Sequence, residues 1–209
     1  MRQVLKNIRK DNRKFITSDE LKQYCDEIYS NYRLTRDYLN SRGYLVNIFE
    51  DIYYVKSFEE FKEKRINLSL LELVGMSLKL KNVKNWYFGL YTALNLNKVK
   101  FSQPDEYFYI INDMIMSNSP ITIVGKKFRF LRFKNTLFNF GIVINKIKYS
   151  DHEKTILDLL YLWKSNHINE NRILIDISKL LGGISKTKIL DYAQYYPESN
   201  QELLKKVTD

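Results

Sequence analysis

Three helix signals in succession dominate the first 57 residues and restrict what this stretch can fold into. Apolar and basic residues recur three, four and seven positions apart over residues 3–14, which predicts a short helix with one apolar and one basic face. The next signal begins at Thr17, where the pattern Ser/Thr-x-x-Glu of a capping box predicts a second helix to about residue 28. A third helix is predicted over residues 32–42, and Gly43 ends it.

Two strand-like segments, 44–48 and 52–55, follow this glycine and flank the acidic tip Glu50-Asp51. Three short helices and a hairpin in this order are typical of a winged helix-turn-helix, which reads DNA with the second helix of its helix-turn-helix. We therefore expect a DNA-binding domain at residues 1–57 and a second domain at 58–209.

The third predicted helix would enter the major groove, so its outward side chains decide what it can read. Its buried side is expected to consist of Leu34, Tyr38 and Leu39. Arginine suits the two acceptors of guanine and asparagine suits adenine, and each bidentate pair discriminates by ~1–3 kcal/mol. The candidate DNA contacts are the cations of the first helix region and the outward residues of the third helix: Arg2, Lys6, Arg9, Lys10, Arg13, Lys14, Tyr32, Arg33, Arg36, Asn40 and Arg42. The alternative is an ordinary solvated helix face.

The net charge of +10 favours an anionic partner such as nucleic acid. Residues 1–57 hold 11 basic against 8 acidic residues, whereas residues 66–149 hold 12 against 4. In the latter stretch five cations alternate with three phenylalanines over residues 126–134. This pattern suits a nucleic-acid-binding strand, and it equally suits a half-buried strand with its aromatic side inward.

The chain beyond residue 60 reads as a larger mixed α+β domain, so the expected fold class is α+β throughout. The predicted helices cover about 69–81, 86–96 and 151–163, and the predicted strands cover 107–112, 121–124, 128–133 and 140–149.

The sequence offers little for catalysis. No dinucleotide, phosphate-loop, serine-hydrolase or zinc-protease motif occurs, and one cysteine with two histidines argues against a metal site. We expect no enzyme activity, no cofactor and no metal, with Cys25 as a small core residue. An alternative is a metal-dependent nuclease that uses Asp151 and Asp158, although Asp151 is also well placed to begin a helix. No apolar run is long enough to span a membrane and no signal peptide is evident, so a cytoplasmic protein without membrane contact is expected.

Three blocks of sequence resemble the AbiEi family of antitoxins and transcriptional regulators from type IV toxin–antitoxin (abortive infection) systems. The first block runs from Phe15 to Val55, with Leu39-Asn-Ser-Arg-Gly-Tyr-Leu inside it, and is similar to the winged helix of that family. The second is Trp86-Tyr-Phe-Gly-Leu-Tyr-Thr-Ala-Leu, and the third is Ser150-Asp-His-Glu-Lys-Thr-Ile-Leu-Asp. The sequence departs from the expected pattern at Glu50-Asp51, where we expect a glycine or a basic residue.

The resemblance implies a repressor that binds double-stranded operator repeats at its own promoter and counteracts a nucleotidyltransferase toxin encoded beside it. Repeated half-sites are compatible with a homodimer. The alternative function is a stand-alone winged-helix transcription factor whose C-terminal domain is a protein-interaction module.

Overall fold

The computed structural model describes residues 1–101 and 106–208, and its fold is mixed α+β, as predicted. The chain divides into two compact units, one formed by Met1–Asn82 with Thr122–Gly125 and the other by Val83–Ile121 with Lys126–Asp209. Within the described residues, none of the helices has both the length and the apolar composition that a membrane span requires.

The first part of the chain contains five helices and a small sheet. In chain order its elements are α1 (Arg2–Lys10), β1 (Phe15–Thr17), α2 (Ser18–Asp26), α3 (Tyr32–Ser41), β2 (Leu45–Phe49), β3 (Ile52–Val55), α4 (Phe58–Lys62) and α5 (Leu70–Leu80). The three strands are antiparallel in the order β1-β3-β2, and Glu50-Asp51 form a two-residue turn between β2 and β3.

Local sequence signals explain where several of these helices begin. The predicted capping box at Thr17 is confirmed: its hydroxyl accepts from the Glu20 amide at 3.2 Å, and the Glu20 carboxylate accepts from the Thr17 amide at 2.8 Å. Equivalent boxes begin α4 at Ser57 and α5 at Ser69. The three helices α1, α2 and α3 pack through a shared apolar core that includes Cys25, which is fully buried as predicted.

The rest of the chain forms a six-stranded sheet and five further helices among the described residues. Its elements are β4 (Trp86–Phe88), α6 (Leu90–Leu96), β5 (Phe108–Asn112), β6 (Ile121–Ile123), β7 (Lys126–Arg132), a 3-10 turn (Asn135–Phe138), β8 (Ile142–Ile144), β9 (Lys148–Ser150), α7 (His152–Ser165), α8 (Glu170–Ser178), α9 (Lys186–Ala193) and α10 (Glu198–Thr208). The strand order is β6-β7-β5-β4-β9-β8, with β5–β7 and β4–β9 parallel.

Two predictions for this region are wrong. The predicted helix 86–96 is a strand followed by a helix, because β4 pairs antiparallel with β5 before Gly89 begins α6. The predicted strand 140–149 is the hairpin β8–β9. The helix predicted from residue 151 is present as α7, and its residues 153–160 are all buried, which makes it the central helix of this region.

Candidate nucleic-acid interface

Helices α2 and α3 are joined by a tight turn at residues 27–31. Tyr29 adopts a left-handed backbone conformation with φ of 52°, and the Ser30 amide donates to the Cys25 carbonyl at 2.8 Å. The Asn31 side chain then caps α3 by accepting from the Leu34 amide at 3.1 Å. These bonds fix where α3 starts and which of its residues face water.

The rotation of α3 differs by one position from the predicted one. Thr35 and Leu39 are fully buried, whereas Leu34, predicted to be buried, is 59% exposed. Thr35 can face the core because its hydroxyl lies 2.8 Å from the Ser30 hydroxyl, which satisfies a polar group that would otherwise be costly to bury. Tyr38 is half-buried.

The three predicted base readers differ in their surroundings. Arg33 is exposed. The Nε and Nη2 atoms of Arg36 donate to one carboxylate oxygen of Asp37 at 2.9 and 2.8 Å, and its guanidinium lies 5.7 Å from the Tyr32 ring centroid. The hydrogen bonds with Asp37 raise the pKa of Arg36. The structure thus brings Arg36 together with Tyr32, which sequence reasoning treated separately.

Asn40 is set back from the surface. Its side-chain oxygen is buried and has no hydrogen-bond partner among the described residues. Arg42, beyond the end of α3, is exposed and lies over the Tyr38 ring at 5.9 Å. Arg2 of α1 reaches the same tyrosine, with its Nε donating to the hydroxyl at 3.5 Å. The start of α1 and the C-terminal end of α3 therefore place Arg2 and Arg42 around one tyrosine.

The other candidate cations of the α1 region fall into two groups. Lys6, Lys10 and Lys14 are exposed. Arg9 is turned inward, where it donates to the Lys56 carbonyl at 3.1 and 2.7 Å, and burial lowers its pKa. Arg13 forms an ion pair with Glu20, the carboxylate of the α2 capping box. Arg9 and Arg13 thus have partners within the fold.

The acidic hairpin tip is partly neutralised by a lysine that the sequence did not indicate. Lys81, at the end of α5, lies 2.7 Å from a carboxylate oxygen of Asp51 and 5.5 Å from the Phe49 ring centroid. The Asp51 carbonyl also accepts from the Ser18 amide at 2.9 Å, which fastens the hairpin to the start of α2. Lys81 therefore pairs with one of the two acidic residues of the tip, Asp51, and not with Glu50.

The basic strand β7 matches the half-buried interpretation. Its rings Phe128 and Phe130 are fully buried, and Phe133, just after the strand, is nearly so. These rings therefore cannot stack on bases. The exposed cations beside them are Lys126, Lys127, Arg132 and Lys134.

The carboxylates considered for a nuclease are engaged in the fold. Asp158 is fully buried and accepts from the Tyr87 and Tyr196 hydroxyls at 3.0 and 2.6 Å. Asp151 caps α7, as predicted, by accepting from the Lys154 amide at 2.9 Å, and it lies 3.0 Å from the ammonium of Lys188. This pair offers no open carboxylate cluster for a metal ion.

Of the comparisons with known proteins, the one with solved structures bears on the fold. Neither protein-family models nor curated proteins returned a match. Among solved structures, the crystal structure of the RV2827C protein from Mycobacterium tuberculosis is similar, with a TM-score of 0.50 and 14% identity over 99% of this chain and 80% of that chain. At this identity the likeness concerns the fold alone.

Proposed function

We propose that the chain is a sequence-specific, double-stranded DNA-binding repressor whose residues 1–57 act as a winged helix-turn-helix. The observation that carries this proposal is the exposed face of α3, where Arg33 is free to extend and Arg36 is held by Asp37 and Tyr32. A guanidinium fixed by a carboxylate loses less side-chain freedom when it meets a guanine edge, which favours base readout.

The cations of the α1 region are proposed to have two different roles. Arg2, Lys6, Lys10 and Lys14 are exposed and suit phosphate contact, which positions a protein on DNA without reading its sequence. Arg9 serves the fold instead, because its guanidinium is turned inward and donates to the Lys56 carbonyl, whereas Arg13 is exposed and forms an ion pair with Glu20.

The test compares two single variants on a selected operator and on random DNA. Arg36→Ala should weaken operator binding by about 5- to 150-fold, the range of one bidentate base contact, and should affect random DNA less. Lys10→Ala should weaken binding to both DNAs by the same factor. Equal losses on both DNAs for Arg36→Ala would remove Arg36 from base readout, and no binding to any DNA would overturn the proposal.

The proposed biological role is that of an antitoxin in a type IV system, and it rests on the family resemblance of the three sequence blocks. The protein would repress its own promoter and counteract a nucleotidyltransferase toxin, with a homodimer on the repeats. Expression of the adjacent reading frame should arrest growth, and co-expression of this chain should restore it. If the adjacent gene encodes no toxin, the alternative function, a stand-alone transcription factor, is favoured instead.

A second candidate function for residues 58–209 is a protein-interaction module. Met114 and Met116 are 57% and 70% exposed, and their loop is ordered by Asn112, whose amide donates to the Ile115 and Leu131 carbonyls at 2.9 and 3.2 Å. Exposed methionines on an ordered loop suit contact with an apolar protein surface. Loss of co-purification of the adjacent gene product with a Met114→Ser/Met116→Ser variant, while DNA binding persists, would support this candidate.

A further inference from the structure

The turn before α3 and its first helical turn expose two large apolar side chains. Tyr29 is fully exposed and Leu34 is 59% exposed, although Thr35 and Leu39 of the same helix are fully buried. The rotation of α3 is set by the Asn31 cap and the Ser30–Thr35 contact, so Leu34 cannot turn inward without breaking them. Its exposure therefore needs an explanation on the solvent side.

The position of Leu34 on the helix narrows that explanation. Its amide is the one that Asn31 caps, which places it in the first turn of α3 directly after the exposed Arg33. In a helix-turn-helix the N-terminal residues of the second helix contact the base edges. The major groove displays one apolar group, the 5-methyl of thymine, and aliphatic side chains contact it.

We propose that Leu34 reads the 5-methyl group of a thymine next to the bases contacted by Arg33 and Arg36. This inference rests on the proposed DNA-binding function and adds to it a residue that determines specificity through apolar contact. Leucine has no polar atom in its side chain, so it would distinguish thymine from uracil, which lacks only this methyl group.

The experiment uses the full-length protein and an operator selected from random duplex DNA. Each thymine of that operator is replaced singly by deoxyuridine, and dissociation constants are measured for the wild type, Leu34→Ala and Leu80→Ala. Leu80 is a matched control, because it is 43% exposed at the end of α5. Since both leucines are exposed, neither variant should alter the thermal midpoint appreciably.

At one thymine the wild type should bind the deoxyuridine duplex about fourfold more weakly, the effect of one buried methyl-sized group. Leu34→Ala should bind both duplexes equally, and Leu80→Ala should behave like the wild type. Wild-type indifference to every replacement, or discrimination that persists in Leu34→Ala, overturns the inference while DNA binding stands. Reduced self-association of Leu34→Ala with unchanged thymine preference would assign Leu34 to a protein contact and overturn it as well. If selection yields no preferred sequence, the proposed function itself fails.

Discussion

Lys154 is a fully buried cation held by aromatic rings and one carboxylate. Its ammonium lies 4.8 Å from the Tyr87 ring centroid and 4.5 Å from that of Phe140, and it donates to Asp158 at 3.3 Å and to the Tyr196 hydroxyl at 3.2 Å. Burial lowers the pKa of Lys154 and raises that of Asp158. Both charges lose their hydration on burial, so each is tolerated in the interior only while its partner is present.

Removing only one partner of this pair should be more harmful than removing both charges. We expect Lys154→Met to lower the free energy of unfolding by about 3–5 kcal/mol, because the Asp158 carboxylate stays buried without its cation. The double variant Lys154→Met/Asp158→Asn should be more stable than Lys154→Met alone, since no buried charge remains. Urea denaturation measures both, and equal stability of the two variants would contradict this account.

Glu60 couples helix α4 to the sheet. Its carboxylate accepts from the Tyr54 hydroxyl at 2.7 Å and from the amides of Asn67 and Ser57 at 2.8 and 2.9 Å. Burial raises the pKa of Glu60, but these hydrogen bonds to the charged form outweigh it and the pKa is lowered overall. The carboxylate is therefore more acidic in the folded protein than in the unfolded chain.

This shift fixes the sign of a pH dependence. A lowered folded-state pKa stabilises the protein above the unfolded value, ~4.3, and the contribution is lost as pH falls through the folded value. Glu60→Gln should reduce the free energy of unfolding near neutral pH by about 1–3 kcal/mol, and the difference from wild type should shrink below about pH 4. Denaturation curves between pH 7 and 3 test this, with the exposed Glu63→Gln as control. A difference that is constant across this range would exclude the charged form of Glu60 as its source.

At the scale of elements, the acidic tip of the hairpin β2–β3 is partly neutralised by a lysine at the end of α5. Lys81 lies 2.7 Å from Asp51, and the lysine side chain is 29% exposed. As a surface ion pair it should contribute little to stability. Its effect is expected instead on the electrostatic potential that approaching DNA meets.

We expect Lys81→Met to weaken binding to operator and random DNA alike by about two- to threefold at low salt, with a smaller effect at high salt. Lys81→Met/Asp51→Asn should recover this loss, because the carboxylate left by the lysine is removed. Fluorescence anisotropy at two salt concentrations measures both variants. A loss that persists in the double variant would mean that Lys81 contacts DNA itself.

The same element scale shows which features could be predicted from sequence. The capping boxes at Thr17 and Ser69 were predictable because all their partners lie within four residues. The strand β4 was not predictable, because it exists through pairing with β5, which is distant in sequence. The need for glycine at position 89 is equally non-local, since a Cβ there would lie 2.6 Å from the Ile111 side chain. The partner of Asp51 was equally hidden, since Lys81 is thirty positions away in sequence.

For α3, the predicted buried side of the helix is rotated by one position from the observed one. Apolar spacing favoured Leu34 as a core residue, but Thr35 takes the inward position because Ser30 satisfies its hydroxyl. A contact between two hydroxyl groups across a turn leaves no hydrophobic signal in the sequence. Arg33 remains exposed, whereas Asn40 is less accessible than predicted.

On the scale of the whole molecule, positive charge is concentrated outside the proposed reading module. Residues 66–149 hold 12 basic and 4 acidic residues, against 11 and 8 in residues 1–57. Four of these basic residues are the exposed cations in and just after β7. The phenylalanine rings between them are buried, so this surface can act only through its charge. If the proposed DNA binding holds, such a surface is expected to contribute to it through release of counterions, without sequence preference.

The salt dependence of binding should reveal both groups of cations. Each neutralised phosphate adds ~0.9 to the slope of log affinity against log salt, so Lys10→Ala should make the slope shallower by about 0.9. A variant with alanine at Lys126, Lys127, Arg132 and Lys134 should also lose at least ~0.9, because a single phosphate contact by this group suffices for that change. Operator preference should stay unchanged in both, since phosphates carry no base information. An unchanged slope in the four-residue variant would confine DNA contact to the first unit and leave the charge of β7 to another anionic partner.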